Sequence, residues 1–262
     1  MARTNIKIPY KSFIDGLRAV SIVSVVGFHG NIPFFQGGFI GVDVFFIISG
    51  FLITSLIQKE IEATGTINIV EFWARRIRRL FPALIIVVFS TITISLYLLL
   101  PIGGEQTGLA RSAISSILYV SNIYFAFKQG NYFDNELATA PLLHTWSLSI
   151  EEQFYIIWPV LILIIIFVSR KFNFHRDNVI KVTLSLIVLF SFIYNCNAYF
   201  SGPSRFSFFG LQARAWELGV GAIIALILPN LQLKQPIALV MGLAGAFALA
   251  AAFFAFDATM VY

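Results

Sequence analysis

Charge is what this sequence has least of. Asp, Glu, Lys and Arg make up 12% of its 262 residues, about half the share of an ordinary soluble domain. A conventional water-facing surface is thereby excluded. Cysteine is nearly absent: Cys196 stands alone, so no disulfide forms within the chain. Histidine occurs three times, and no Cys/His spacing suits a metal ion. The Gly-x-Ser-x-Gly elbow, the phosphate loop and the His-Glu-x-x-His helix are all missing. No metal is therefore expected. There is no internal repeat or low-complexity tract, so one membrane domain is the simplest account. No small-residue cleavage pattern follows the first apolar run, and that run is expected to be retained rather than removed as a leader.

What fills the space is apolar. Hydrophobic residues reach 58% and mean hydropathy is +0.84. Runs of spanning length, about 17–25 residues, recur near 14–28, 39–57, 80–100, 153–168, 179–198, 217–228 with its upstream flank, and 236–256. The fold class expected is an all-α polytopic bundle of about seven to eight spans. Segment 109–127 is weaker, with Arg111, four serines and Asn122. It reads as one short re-entrant or interfacial helix.

Orientation follows from the cations. Arg3, Lys7, Lys11 and Arg18 fall in 3–18, five Lys and Arg in 59–79, and Arg170, Lys171, Arg176 and Lys181 in 170–181. These thirteen of eighteen mark the cytoplasmic side. The net charge of +5 is then mostly topology, and no nucleic-acid partner is expected. The run 80–100 goes outward and 153–168 returns, which puts 144–152 on the far side and leaves 109–127 unable to cross alone.

Five clusters could carry chemistry. Arg18 and His29 are eleven residues apart, three helical turns plus about 20°, so they share a face about 16 Å long. Asp15 pairs with Arg18 at i, i+3. Ionisable groups in hydrocarbon need partners or a wet cavity, and His29 can act as base or nucleophile. The plainer alternative is a snorkelling Arg18 and a capping His29. In the second cluster, Gly37, Gly38, Gly41 and Gly50 suit close helix approach, and Asp43 wants a partner, His29 or an arginine. Third, Arg75/Arg78 and Arg76/Arg79 each share a face, apt for phosphates or for anionic lipid heads. Fourth, His144 through Tyr155 brings Glu151 and Glu152 to a helix mouth, with Ser149 as a cap in a capping-box pattern with Glu152. Fifth, Arg214 and Glu217 are spaced for an ion pair. His175 reads as solvated.

These motifs, in order, resemble the membrane acyltransferase-3 family. They are Asp15-Gly16-Leu17-Arg18-Ala19 leading to His29, Gly41-Val42-Asp43-Val44-Phe45-Phe46-Ile47-Ile48-Ser49-Gly50-Phe51-Leu52, Phe72-Trp73 with Arg75, Arg76, Arg79 and Pro82, and His144-Thr145-Trp146-Ser147-Leu148-Ser149-Ile150-Glu151-Glu152-Gln153-Phe154-Tyr155. The resemblance covers about residues 10–225 and includes polysaccharide O-acetyltransferases. It implies transfer of an acyl group, usually acetyl, from cytoplasmic acyl-CoA to a carbohydrate hydroxyl across the bacterial inner membrane. The acceptor would be O-antigen of lipopolysaccharide, exopolysaccharide, peptidoglycan, a glycolipid or a macrolide-like small molecule. Its motifs match Arg18 with His29, Arg76 with Arg79 (Arg75 and Arg78 fit the same spacing), Glu151 to Tyr155, and Arg214 to Glu217. The mechanism expected on that basis gives His29, Arg18, Asp43 and Glu151 to catalysis, Arg75, Arg76, Arg78 and Arg79 to acetyl-CoA, and His144, Glu152, Tyr155, Arg214 and Glu217 to the acceptor side. Membrane domains of the family normally continue with further spans, so the chain is expected to be C-terminally incomplete. A transporter or flippase for a lipid-linked sugar is the rival reading, since it too would carry buried Arg, His and Asp.

Overall fold

The computed structural model describes residues 12–98, 105–128, 140–200 and 205–256. The elements in order are α1 (Ser12–His29), a 3-10 turn (Gly38–Ile40), α2 (Gly41–Thr64), α3 (Ile69–Leu98), α4 (Glu105–Ile117), α5 (Ser121–Phe127), α6 (Thr145–Phe172), α7 (Arg176–Phe200), α8 (Arg205–Phe209), α9 (Leu211–Ile227) and α10 (Gln235–Ala255). Among the described residues there is no strand. This is the all-α polytopic bundle expected: seven segments of the described residues are long and apolar enough to cross a membrane. A helix satisfies its own backbone, and this suits it to hydrocarbon. Arg3, Lys7, Lys11, Leu99 and Leu100 lie outside the described residues.

The chain divides into two compact units, residues 1–60 with 217–262, and residues 61–216. In the first, glycine sets the packing. A side chain on Gly50 would strike the Leu218 carbonyl, and one on Gly221 the Ile47 carbonyl. α2 and α9 therefore meet backbone to backbone. A side chain on Gly41 would press on the Ser21 carbonyl and the Ser24 hydroxyl of α1. Those serines return their hydroxyls to α1, to Leu17 O at 2.8 Å and Ser21 O at 2.9 Å. α10 buries none of its residues. It touches the turn before α2 through Gly37 N–H to Phe253 O, 3.1 Å.

In the second unit, polar side chains stand between the helices. Segment 109–127 is not one helix. It lies within α4 and α5, 13 and 7 residues long, separated by a turn in which Tyr119 takes φ 54°. A left-handed backbone at a bulky aromatic is uncommon. Neither helix is long enough to span, which needs about 20 residues. The serines point inward. Ser116 Oγ meets Thr145 Oγ1 at 2.7 Å, and Ser121 Oγ meets Ser149 Oγ at 2.7 Å. Gln153 donates to Asn122 Oδ1 at 2.8 Å and to Tyr119 O at 3.0 Å. Asn122 donates in turn to Phe209 O at 3.1 Å. An apolar cluster of Leu84, Val88, Leu109, Ala113 and Leu142 closes the α3–α4 side.

One local expectation is corrected here. Ser149 does not cap α6, and Glu151 and Glu152 are not in its first turn. The helix starts at Thr145, whose N–H and hydroxyl both turn to Leu142 O, at 3.1 and 2.7 Å. Ser149 is a full turn inside and donates to Thr145 O at 3.2 Å. Burial of the preceding Leu142 and Leu143 sets the start five residues earlier than the capping-box pattern.

Candidate functional site

Within the second unit, α3 and α6 lie together at Trp73, whose indole N–H donates to Tyr155 O at 3.2 Å. One turn along α3, Arg76 lies with its guanidinium carbon 5.3 Å from the Tyr155 ring centre and 6.0 Å from that of Phe72. Cations favour ring faces. Its charge interacts with Glu151 and Glu152. The Tyr155 hydroxyl donates to Glu151 Oε2 at 3.2 Å. Glu152 is only 7% exposed, and its Oε1 has no hydrogen-bond partner among the described residues. The predicted arginine and acidic motifs, 75 residues apart at Arg76 and Glu151, are thus brought to one place, which corrects the expectation that residues 144–152 lie across the membrane from the arginine cluster.

The other arginines of α3 behave differently. Arg75 and Arg78 flank Glu71, at 3.9 and 3.2 Å. Arg78 and Arg79 are exposed and Arg75 half-buried. α3 therefore offers a cationic surface on one side and turns Arg76 inward. This split is the feature that the repeated i, i+3 spacing alone does not reveal.

Tyr119 escaped sequence reasoning. Its hydroxyl is buried without a partner among the described residues. Burial first, and then the Glu152 charge, push its phenol pKa upward. Two buried oxygens, one from Tyr119 and one from Glu152, therefore stand in the same neighbourhood with unused hydrogen-bonding capacity. Buried polar atoms of this kind call for an explanation.

Further towards the start of α6, Arg214 lies over Phe208 at 5.0 Å and Trp146 at 5.9 Å, and donates to Phe208 O at 3.3 Å. His144 is exposed at the residue before α6 and caps nothing with its side chain.

In the first unit, the Asp15–Arg18 pair forms at 3.8 Å. His29 is the last residue of α1 and is exposed, with Phe28 edge-on at 5.3 Å. Asp43 is half-buried in the first turn of α2, where the helix dipole favours an anion. Glu217 is wholly buried and Glu60 is 4% exposed. Glu60 is a second residue that sequence reasoning missed, because it sits among the charges read as a cytoplasmic cluster. Among the described residues no group of acidic, His and Cys side chains could hold a metal ion.

A family model described as an acyltransferase domain matches residues 11–261. A Bacillus subtilis (strain 168) protein, YrhL, named for a proposed role as a peptidoglycan O-acetyltransferase, is 39% identical over 228 residues, 85% of this chain and 34% of its own length. The O-acetyltransferase OatA of Staphylococcus aureus (strain NCTC 8325 / PS 47) is 37% identical over 235 residues, 87% of this chain and 36% of its own. The chain spans about a third of the length of these relatives. No solved structure matches it.

Proposed function

Because the chain belongs to the acyltransferase family whose model covers residues 11–261, we propose that it acts as an integral membrane O-acyltransferase. The donor is acyl-CoA, with acetyl as the group moved. The acceptor is a hydroxyl of a cell-surface carbohydrate, and the relative named for peptidoglycan makes that polymer the first to test, ahead of O-antigen or a glycolipid. The enzyme sits in the bacterial cytoplasmic membrane with its N-terminus inside, in keeping with the clustering of Lys and Arg.

The observation that carries this reading is the division of the α3 arginines. Arg75, Arg78 and Arg79 suit the phosphates of CoA at a surface. Arg76, turned onto Tyr155 beside two carboxylates, suits a place where charge changes during reaction. Glu151, Glu152 and Tyr155 would order the polar groups there, with Tyr119 alongside. His144 and Arg214 would face the carbohydrate. His29 takes the proton of the acceptor hydroxyl as its oxygen bonds to the thioester carbonyl carbon. The carbon–sulfur bond then breaks, and the proton passes to the CoA sulfur. Arg18 steadies negative charge, and Asp43 orients the imidazole. An acyl group carried briefly on His29 is the stepwise form of the same reaction.

The test uses purified protein in lipid nanodiscs with acetyl-CoA and peptidoglycan fragments, with product mass as readout. His29→Ala is expected to lower turnover about 10²–10⁴-fold while CoA still binds. Arg75, Arg78 and Arg79 changed together to Ala should weaken CoA binding. An acceptor that crosses a bilayer with its mass unchanged would mark a flippase and sink the proposal.

A further inference from the structure

The strap from α1 to α2 makes two turns in succession. After His29, the Asn31 N–H donates to Phe28 O at 3.1 Å and the Ile32 N–H to Gly27 O at 3.0 Å. Asn31 stands at φ 50°, and the pair of bonds is that of a Schellman ending. Asn is among the few side chains that tolerate this backbone. The second turn follows at once. The Phe35 N–H donates to Ile32 O at 3.2 Å, Pro33 holds the first central position, and Phe34 takes φ 75° at the second. This is a type II turn, whose second central position favours Gly or Asn. A bulky side chain there is disfavoured.

Core packing does not account for this phenylalanine. Its ring is 71% exposed and meets Phe254, itself 66% exposed, in a T-shaped contact with centres 6.5 Å apart. Tyr119, the other aromatic at positive φ among the described residues, is half-buried instead. The backbone around Phe34 is pinned from both sides. Phe35 lies against α1 at Gly27, where a side chain would stand 2.5 Å from its ring. The Gly38 N–H donates to Phe35 O at 3.0 Å, and the Gly37 N–H ties the strap to α10 through Phe253 O at 3.1 Å. Backbone strain held in place by its surroundings gathers at ligand clamps and active sites. Here it presents an aromatic face outward, five residues after His29.

We propose that Phe34 is a platform on which a sugar ring of the acceptor glycan stacks. The class of ligand rests on the acyl-transfer reading. The strap joins two candidate spans, so it lies at a membrane face, one span away from the N-terminus. With the N-terminus inside, that face is the outer one, where a cell-surface carbohydrate is met. The C–H bonds on one side of a pyranose ring suit the negative face of an aromatic ring. Asn31 and Gln36, both exposed, offer amides that donate to and accept from its hydroxyls. A ring that only anchored the strap in headgroups would be Trp or Tyr, the side chains of interfacial belts. It would not need a turn that fixes its backbone at positive φ.

Phe34→Gly separates a ligand role from a structural one. The experiment places the full chain in phosphatidylcholine nanodiscs. A tetrasaccharide of alternating N-acetylglucosamine and N-acetylmuramic acid is titrated by calorimetry. Glycine fits the turn, so the melting temperature of Phe34→Gly should hold. Its glycan binding should weaken about five- to ten-fold, the scale of one aromatic contact. Phe34→Leu should weaken binding similarly, and Phe34→Tyr, which keeps the ring face, should retain it. If Phe34→Gly melts early, the comparison of Phe34→Leu with Phe34→Tyr decides. Equal binding by wild type, Phe34→Gly and Phe34→Leu overturns the proposal, as does a wild type that binds no tetrasaccharide. In Phe34→Trp, read against wild type, the added fluorescence should be quenched by aqueous iodide. Quenching by brominated phosphatidylcholine instead would put the ring in lipid and overturn the proposal too. Acyl transfer to the same glycan is measured alongside. Transfer that continues with binding unchanged in Phe34→Gly sinks the platform alone. Weakened binding in Phe34→Gly, in a chain whose wild type transfers nothing, sinks the enzyme reading alone.

Discussion

In the unit formed by residues 1–60 and 217–262, helices touch backbone to backbone, whereas in residues 61–216 hydroxyls and amides stand between them. Between helices in lipid there is little hydrophobic drive, because the tails are as apolar as leucine. Close van der Waals contact and interhelical hydrogen bonds are what remain. Glycine contacts show the first means in one unit, and side-chain bonds between helices show the second in the other. The choice matters for function. The polar network of the second unit is anchored on α6, on the same two turns that carry Glu151, Glu152 and Tyr155. A site held by locked neighbours keeps its geometry. In the first unit His29 sits exposed at the end of α1, and glycine contacts set how closely α1, α2 and α9 approach.

The contrast is broken most severely at Gly221. A valine there would drive its side chain into the Ile47 carbonyl and to within 2.8 Å of the Phe51 nitrogen. Neither is the end of a flexible chain, so the helices must part. Overpacking costs about 1–3 kcal/mol or more. Gly221→Val should lower both the melting temperature and the yield of monodisperse protein in detergent. Gly245→Val is the control: nothing lies within 4 Å of the position, and its effect should stay within about 0.5 kcal/mol. Equal behaviour of the two variants would refute glycine-set packing.

In the second unit the larger expected effect is at Gln153, which bonds both Asn122 and the Tyr119 carbonyl. Gln153→Ala should cost about 1–2 kcal/mol, the range seen for polar bonds between membrane helices. Asn122→Ala should cost about the same. Since the two amides bond each other, the double variant should cost less than the sum, with a coupling of about 0.5 kcal/mol or more. Strict additivity in a reversible unfolding assay would mean that the network is only a set of local bonds. Because Tyr119 depends on Gln153 for its carbonyl, Gln153→Ala should also lower acyl transfer while leaving CoA binding intact.

Much of this was legible from residue order. Seven apolar runs became seven candidate spans, because length and hydropathy decide that question in hydrocarbon. The Asp15–Arg18 pair followed from its spacing. Segment 109–127 was not legible in detail. Its serines lower the hydropathy and read as surface, yet Ser116 and Ser121 bond to side chains of α6, partners about 30 residues away that no local period displays. The capping-box pattern at Ser149 misled for a related reason. It matched locally, but buried Leu142 and Leu143 fixed the helix start upstream. Tyr119 carried no signal at all, since a tyrosine at positive φ is set by its surroundings and not by its own preference.

The smallest expected effect returns to the first unit. Asp15 and Arg18 are 53% and 30% exposed, and 3.8 Å apart. A pair so placed contributes about 0–1 kcal/mol, because solvent or lipid headgroups screen it and both side chains lose freedom. Asp15→Asn should therefore leave the melting temperature almost unchanged, and added salt should change it as little. Arg18→Gln removes the cation as well, and its stability effect should be equally small. If Arg18 serves the reaction, turnover should nevertheless fall in Arg18→Gln and hold in Asp15→Asn. A marked loss of stability in either would show that a polar contact holds α1 in place, and the division between glycine contact and polar contact would not describe this unit.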